Sequence, residues 1–129
     1  MKFSTKAEYG LRAIVHLDKT GKKPVSLALI AKEEGLSLGY LERLFAKLKK
    51  AGLVKAEKGV NGGYLLAKSA SKIKVLEIIE ALEGSVAPYD CVDGKKICCE
   101  CACKVHPVWE KLYKQVKKTL NSMTLSSIM

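Results

Sequence analysis

Cysteine is absent from residues 1–90 and again from residues 104–129; all five cysteines of this 129-residue chain fall between Cys91 and Cys103. An odd number of thiols crowded into one stretch does not make the disulfide framework of a small secreted fold. Long apolar runs are missing too. No segment approaches the ~18 apolar residues of a membrane span, and the start Met1-Lys2-Phe3-Ser4-Thr5-Lys6-Ala7-Glu8-Tyr9 has no apolar signal-peptide core. The expectation is a cytoplasmic protein without membrane attachment, in a compartment that keeps thiols reduced. Proline is scarce, at three residues, and with 48% apolar residues the core is adequate without staples. Acidic residues are the last shortage: 13 Asp and Glu against 23 Lys and Arg leave a net charge of +10. The excess is uneven, with 14 basic and 6 acidic residues in 1–70 but 9 and 7 in 71–129. A basic half beside a nearly neutral half suggests a polyanion-binding module joined to a module for something else.

Periodicity fills in the basic half. Thr5 to about Thr20 reads as a helix, with Thr5 and Glu8 at capping-box spacing and Tyr9, Ala13, Ile14 and Leu17 at helical period. After the break at Thr20-Gly21-Lys22-Lys23-Pro24, Ser26 can cap a short helix that Gly35 ends. Ser37 then caps a third helix to about Ala51, with Gly52 at the stop position and Leu41, Leu44, Phe45 and Leu48 as its apolar stripe. Its other side carries Gly39, Tyr40, Glu42, Arg43, Lys47 and Lys50. Two helices about a tight turn, the second basic on its exposed face, make a helix-turn-helix. Leu53–Ala56 and Gly63–Ala67 read as strands around Lys58-Gly59-Val60-Asn61-Gly62, a wing whose small residues let the backbone approach a phosphate or a groove floor. A nucleotide-phosphate loop fits less well, because the glycines lack the GK[ST] ending and no helix starts there.

Val75 to about Leu82 is a fourth helix, and Pro107 opens the last one, with Trp109, Leu112, Tyr113, Val116 and Leu120 along one stripe. That stripe either packs back on the first helix or forms a two-fold dimer seam, and the seam suits a reader of paired half-sites. Between these helices, Cys91, Cys98, Cys99, Cys101, Cys103 and His106 share sixteen residues. Thiolates this dense beside an imidazole suit a soft metal or an iron–sulfur cluster. The fold class is mainly α with a small β-hairpin wing: a winged helix-turn-helix over 1–84, a cysteine-rich segment over 85–106, and a dimerisation helix and tail over 107–129. No nucleophile–base set or acid pair stands out elsewhere, so no enzyme is expected.

With these residues assembled, the chain resembles the winged-helix, iron–sulfur-dependent transcriptional repressors typified by IscR. The resemblance is carried by Phe3-Ser4-Thr5-Lys6-Ala7-Glu8-Tyr9-Gly10, by Leu36-Ser37-Leu38-Gly39-Tyr40-Leu41-Glu42-Arg43-Leu44-Phe45 and by the wing Gly59-Val60-Asn61-Gly62-Gly63-Tyr64-Leu65-Leu66. Ile78-Ile79-Glu80-Ala81-Leu82-Glu83-Gly84 and Cys103-Lys104-Val105-His106 extend it over essentially the whole length. It implies a 2Fe–2S cluster held by three cysteines and one histidine, with Cys91, Cys103 and His106 matching the outer ligands. The middle position falls on Ile97, so Cys98 takes it, with Cys99 and Cys101 in reserve. Relatives of the nitric-oxide-sensing kind use a carboxylate on the first helix; Glu8 stands there, and is read instead as a cap for Thr5. His106, ahead of Pro107, is expected in extended backbone, and His16 as an ordinary half-buried side chain.

The implied function is a homodimeric repressor that binds a pseudo-palindromic duplex and reports iron–sulfur supply. Tyr40, Glu42 and Arg43 are the expected base-edge contacts, Arg43 donating two bonds to guanine and Glu42 accepting from cytosine. Lys47 and Lys50 are placed for phosphates, Lys58 and Gly59 for the wing's contact with a groove, and Ser37 and Gly39 for the start of the reading helix. Rival readings are a regulator with structural zinc or another inducer, as in cysteine metabolism or nitric-oxide sensing, and an iron–sulfur electron carrier. The last leaves the helix-turn-helix and wing unexplained.

Overall fold

Three serines set the helical frame. Ser4, Ser26 and Ser37 are each extended, and each hydroxyl accepts a backbone N–H of the adjoining helical turn, from Lys6, Ala28 and Tyr40. Such caps satisfy donors that a helix start otherwise leaves open. In this computed structural model, which describes residues 2–94 and 104–129, they open α1 (Thr5–Ile14), α2 (Leu27–Glu34) and α3 (Leu38–Lys50). Strands β1 (Val54–Glu57) and β2 (Gly63–Leu66), then α4 (Val75–Glu83), α5 (His106–Asn121) and α6 (Leu125–Ile128), complete the regular elements among those residues.

One core sits beneath α3. Leu41, Leu44, Phe45 and Leu48 of α3 are buried with Ala13 and Ile14 of α1, Ile30 and Ala31 of α2, and Ile78 and Leu82 of α4. Helices α1 and α4 approach closely because residue 10 is glycine: a Cβ there would stand 2.3 Å from a Leu82 methyl. Between α2 and α3, Gly35 takes φ +67°, the left-handed conformation that ends a helix, and the N–H of Leu36 donates to the carbonyl of Ala31. The strands pair antiparallel from Val54↔Leu66 to Glu57↔Gly63, and Val25 adds a further rung by exchanging two 2.9 Å hydrogen bonds with Tyr64. This is the helix-turn-helix with a wing.

The structure differs from the sequence reading at several points. Helix α1 stops at Ile14; two turn-type bonds, His16 N–H to Ala13 and Leu17 N–H to Ile14, carry the chain on, so Leu17 stays buried without helix. The cap is Ser4, not Thr5. The second half of the expected capping box is supplied from afar: Glu83, at the end of α4, accepts from the N–H groups of Ser4 and Ala7 and from the Ser4 hydroxyl. Glu8 is left exposed, with Arg12 at 3.7 Å as its ion-pair partner. Helix α5 begins at His106, with Pro107 in its first turn, so His106 is helical and not extended.

The C-terminal segment does not leave the domain. The N–H of Val75 donates to Met123, and that of Leu125 to Ile73, seating a fully buried Leu125 in the main core. A second apolar cluster of Ala7, Val75, Ile79 and Val86 takes Tyr113, Val116 and Leu120 of α5 at its edge.

Candidate functional site

Helix α3 lies with one stripe in the core and the opposite stripe in solvent. At 100° per residue, Gly39, Arg43, Ala46 and Lys50 fall farthest from the buried Leu41–Leu44–Phe45–Leu48 stripe, and all four are exposed. A Cβ at Gly39 would meet nothing within 4 Å, so no packing inside the chain asks for glycine there. Glycine costs a helix roughly 1 kcal/mol against alanine, and the bare backbone it leaves suits close approach by an outside surface. Glu42 is exposed beside this stripe, and Ser37 caps the helix with a 3.2 Å bond to the N–H of Tyr40.

Tyr40 is placed differently from the sequence expectation. Its ring is half-buried against the core, edge-on to Tyr9 with centroids 6.3 Å apart, and its hydroxyl is buried. It braces α3 against α1 more than it faces solvent. The Arg43 guanidinium lies 5.8 Å above the Tyr40 ring, and Arg12 stands at the same distance from Tyr9. Lys47 shares the Tyr40–Arg43 flank, whereas Lys50 points outward.

At the wing, Lys58, Gly59 and Val60 are exposed at the tip, and Gly59 has φ +113° with open space where a Cβ would be. The other two glycines have an internal cause. A Cβ at Gly62 would stand 2.2 Å from the Glu57 carbonyl oxygen, and one at Gly63 would stand 2.4 Å from that of Val25. Hairpin closure and the Val25 rung require them, not an approaching phosphate.

Of the expected metal ligands, Cys91, His106 and the reserve Glu8 are described; Cys98, Cys99, Cys101 and Cys103 lie outside the described residues. Cys91 is a half-buried free thiol in a 3₁₀ turn, Asp90–Val92, that packs against α5, the helix His106 opens. Two contacts fasten that turn to α5. Tyr89 meets Trp109 edge-on with centroids 5.1 Å apart, and the Tyr113 hydroxyl donates to Asp93 at 3.1 Å. The imidazole of His106 is partly exposed, with its Nε2 only loosely paired to Glu110 at 3.6 Å. A soft thiol and an unlocked imidazole thus stand on two elements fastened to each other, a donor set that fits an iron–sulfur cluster or zinc. Among the described residues no three His, Cys, Asp or Glu side chains gather into a metal site.

The expected seam residues divide. Val116 and Leu120 turn toward their own domain, Trp109 is taken by Tyr89, and Leu112 is exposed together with Val108. No residue of α5 is buried.

A cluster the sequence reading passed over joins α1 to α2. His16 is flanked on both ring nitrogens, by Glu34 at 2.8 Å from Nε2 and by Glu33 at 3.1 Å from Nδ1, and Arg12 reaches Glu34 at 2.8 Å. Both imidazole contacts are hydrogen bonds only when the ring carries both protons. The hydrogen bond from His16, with the Arg12 charge, holds the Glu34 carboxyl below its ordinary range against the effect of burial. Adjacent glutamates at the end of α2, with a histidine just after the first helix, are the legible signal. Among the described residues no helix is long and apolar enough to cross a membrane.

Comparison with known proteins agrees with this architecture. Residues 3–129 match the model of the Rrf2 family, described as an iron-dependent transcriptional regulator. The chain is 36% identical to Protein rrf2 of Nitratidesulfovibrio vulgaris, covering 100% of this chain and 87% of that protein. It is 39% identical to the HTH-type transcriptional regulator IscR of Vibrio atlanticus, over 100% of this chain and 75% of that one. Among solved structures it is similar to CymR, the global cysteine regulator of B. subtilis, with a TM-score of 0.82 at 36% identity, covering 99% and 95% of the two chains. T. potens IscR aligns with a TM-score of 0.79 at 42% identity, covering 99% and 85%. Relatives at this identity and coverage are DNA-binding transcriptional regulators rather than enzymes, and the chain belongs to the Rrf2 family of winged-helix transcriptional regulators.

Proposed function

We propose that this regulator is a homodimeric repressor that reports iron–sulfur status through a 2Fe–2S cluster held by Cys91, Cys103 and His106, with Cys98 as the middle ligand. Cys99 and Cys101 are the alternates at that position, and Glu8 the alternate to His106. The observation that carries the reading is the fastening of the Cys91 turn to the helix that His106 opens. When bound, the cluster supplies a group that is lost or oxidised as supply changes. The chain's own part is to couple the cysteine segment to α5, which packs on α4 and through it on α1 and α3. A change in how two α5 helices meet in the dimer alters the placement of two reading helices on a pseudo-palindromic duplex, through the α3 face and the wing at Lys58 and Gly59.

The test is an anaerobic absorption spectrum with iron and sulfide analysis, on the wild type and on Cys91→Ala, Cys98→Ala, Cys101→Ala, Cys103→Ala, His106→Ala and Glu8→Gln. Loss of the visible bands in the Cys91, Cys98, Cys103 and His106 variants, with Cys101→Ala and Glu8→Gln retaining them, is the expected result. A His106→Ala protein with wild-type iron and sulfide removes it from the ligand set. The likeness to CymR supports a second reading, control of cysteine metabolism with zinc or another inducer. A colourless, iron-free protein that still binds DNA is its mark.

A further inference from the structure

A notch of about 210 Å3 opens between the first turn of α1 and the flank of α3, lined by Lys6, Tyr40, Arg43, Leu44 and Lys47. Three of these five residues are cations. None of the three makes an ion pair among the described residues. Lys6 stands in the first turn of α1, where the helix dipole disfavours positive charge. Arg43 is steered over the Tyr40 ring and so kept on this flank.

Solvated lysines on a basic surface normally spread apart, since like charges repel. These converge, and the free protein bears a cost for it. Partial burial pushes the Lys47 ammonium below its ordinary range, and the charge of Lys6 pushes it further the same way. Glu83 offsets this from nearby, but its carboxylate already accepts the N–H groups of Ser4 and Ala7. A concave cationic site whose one nearby carboxylate is already engaged by Ser4 and Ala7, on the DNA-facing side of the fold, suits an anion.

We infer that Lys6, Arg43 and Lys47 form a notch that clasps one backbone phosphate of the duplex in each half-site. The inference rests on the DNA-reading role of α3. It adds Lys6 of α1 to the interface and assigns Arg43 to the sugar–phosphate backbone instead of to guanine. Because its cations come from two helices, a phosphate held there fixes the angle at which α3 enters the groove. It therefore sets register and affinity, not sequence preference. Base reading is left to the open face around Gly39, with Glu42 and Lys50.

The test uses the full-length dimer and a duplex that the wild-type chain selects from a random pool, with a scrambled duplex as control. Binding isotherms at several salt concentrations are compared for Lys6→Gln, Lys47→Gln and Arg43→Gln. Each variant is expected to weaken both duplexes by the same factor, roughly three- to tenfold, and to flatten the salt slope by about one unit. Thermal midpoints supply the control for folding: relieving like-charge crowding leaves Lys6→Gln and Lys47→Gln as stable as wild type or more so. A second arm replaces single phosphates of the selected duplex with neutral methylphosphonates. One position per half-site is expected to weaken the wild type while leaving Lys6→Gln unaffected. A third arm titrates inorganic phosphate at constant ionic strength, with no saturable binding expected.

Unchanged affinity and slope for Lys6→Gln, while Lys50→Ala weakens binding, would overturn the notch and leave the DNA reading intact. A wild type that binds no duplex overturns both. Saturable inorganic phosphate binding abolished by Lys6→Gln, with duplex affinity unchanged, makes the notch a free-anion site and removes the duplex from it. Loss confined to the selected duplex in Arg43→Gln returns Arg43 to base reading.

Discussion

Helices α3 and α5 have much the same sequence character. Both are amphipathic, both carry four basic side chains after their first turn, and both have an apolar stripe at helical spacing. Yet α3 buries Leu41, Leu44, Phe45 and Leu48, and α5, although longer, buries nothing in the single chain. The difference lies in their surroundings. α3 is enclosed by α1, α2, α4 and the hairpin, whereas α5 leans on α4 and the short Asp90–Val92 turn, with Tyr113, Val116 and Leu120 at the rim of a small cluster. Amphipathic period therefore tells that a stripe must be covered, and not by which surface. For α3 the cover is internal. For α5 it is unfinished, with Val108 57% and Leu112 38% exposed.

The sharpest way to break the comparison is to cut each stripe. Phe45→Ala opens the enclosed core and is expected to cost about 3–5 kcal/mol of stability, read from denaturant unfolding of the chain. A loss under about 1 kcal/mol would mean that α3 is no better enclosed than α5. Leu125→Ala comes next, at about 2–5 kcal/mol, because this tail residue is fully buried in the same core. Its effect separates α5 from the C-terminal tail: the helix is peripheral and the tail is central. If removing residues 122–129 left the unfolding midpoint unchanged, that distinction would collapse.

A smaller and different effect is expected on α5. Val108→Asp with Leu112→Asp is expected to change the stability of the separated chain by no more than about 0.5 kcal/mol per site. In the proposed dimer the same pair is expected to raise the dissociation constant at least tenfold, measured by sedimentation across a concentration series. A dimer that withstands both carboxylates has its seam elsewhere.

Much of α3 was legible because its stripe, its serine cap and its stop glycine all say the same thing. The wing was legible from its alternating strands, although the reason for Gly62 and Gly63 was not. Gly62 is required by the closure of the hairpin on the Glu57 carbonyl, and Gly63 by the segment crossing at Val25, far away in sequence. The first helix shows the same limit. Thr5 and Glu8 have the spacing of a capping box, but the carboxylate that accepts the helix-start N–H groups of Ser4 and Ala7 is Glu83, far away in sequence and invisible to a local rule. The position of Tyr40 on the helix points to the solvent face, and contact with the ring of Tyr9 takes it toward the core. At the candidate metal segment, residue type made the donor set readable, while its fastening to α5 through Trp109 and Tyr113 needed the fold.

The smallest expected effect tests the joint between the first two helices, which neither stripe explains. Glu34 is held below its ordinary carboxylate range, chiefly by the hydrogen bond from His16 and then by Arg12. A carboxyl whose folded value is depressed contributes stability that is complete above the ordinary value of 4.5 and is lost as pH falls through the lower folded value. Wild type is therefore expected to lose stability progressively below about pH 5, and Glu34→Gln to lose less over the same window because its amide does not titrate. Asp18 is lowered in the same direction by its bonds to Thr20, so it contributes to the acid limb of both proteins and cancels in the difference. The measurement is the urea midpoint of both proteins from pH 7 to pH 3. The curves should converge as the carboxylate is protonated, with Glu34→Gln the less stable at pH 7, where it lacks the charge that faces His16 and Arg12. Parallel curves across that range would mean that the α1–α2 joint is held by packing, and that the ion pairs at Glu34 are incidental to it.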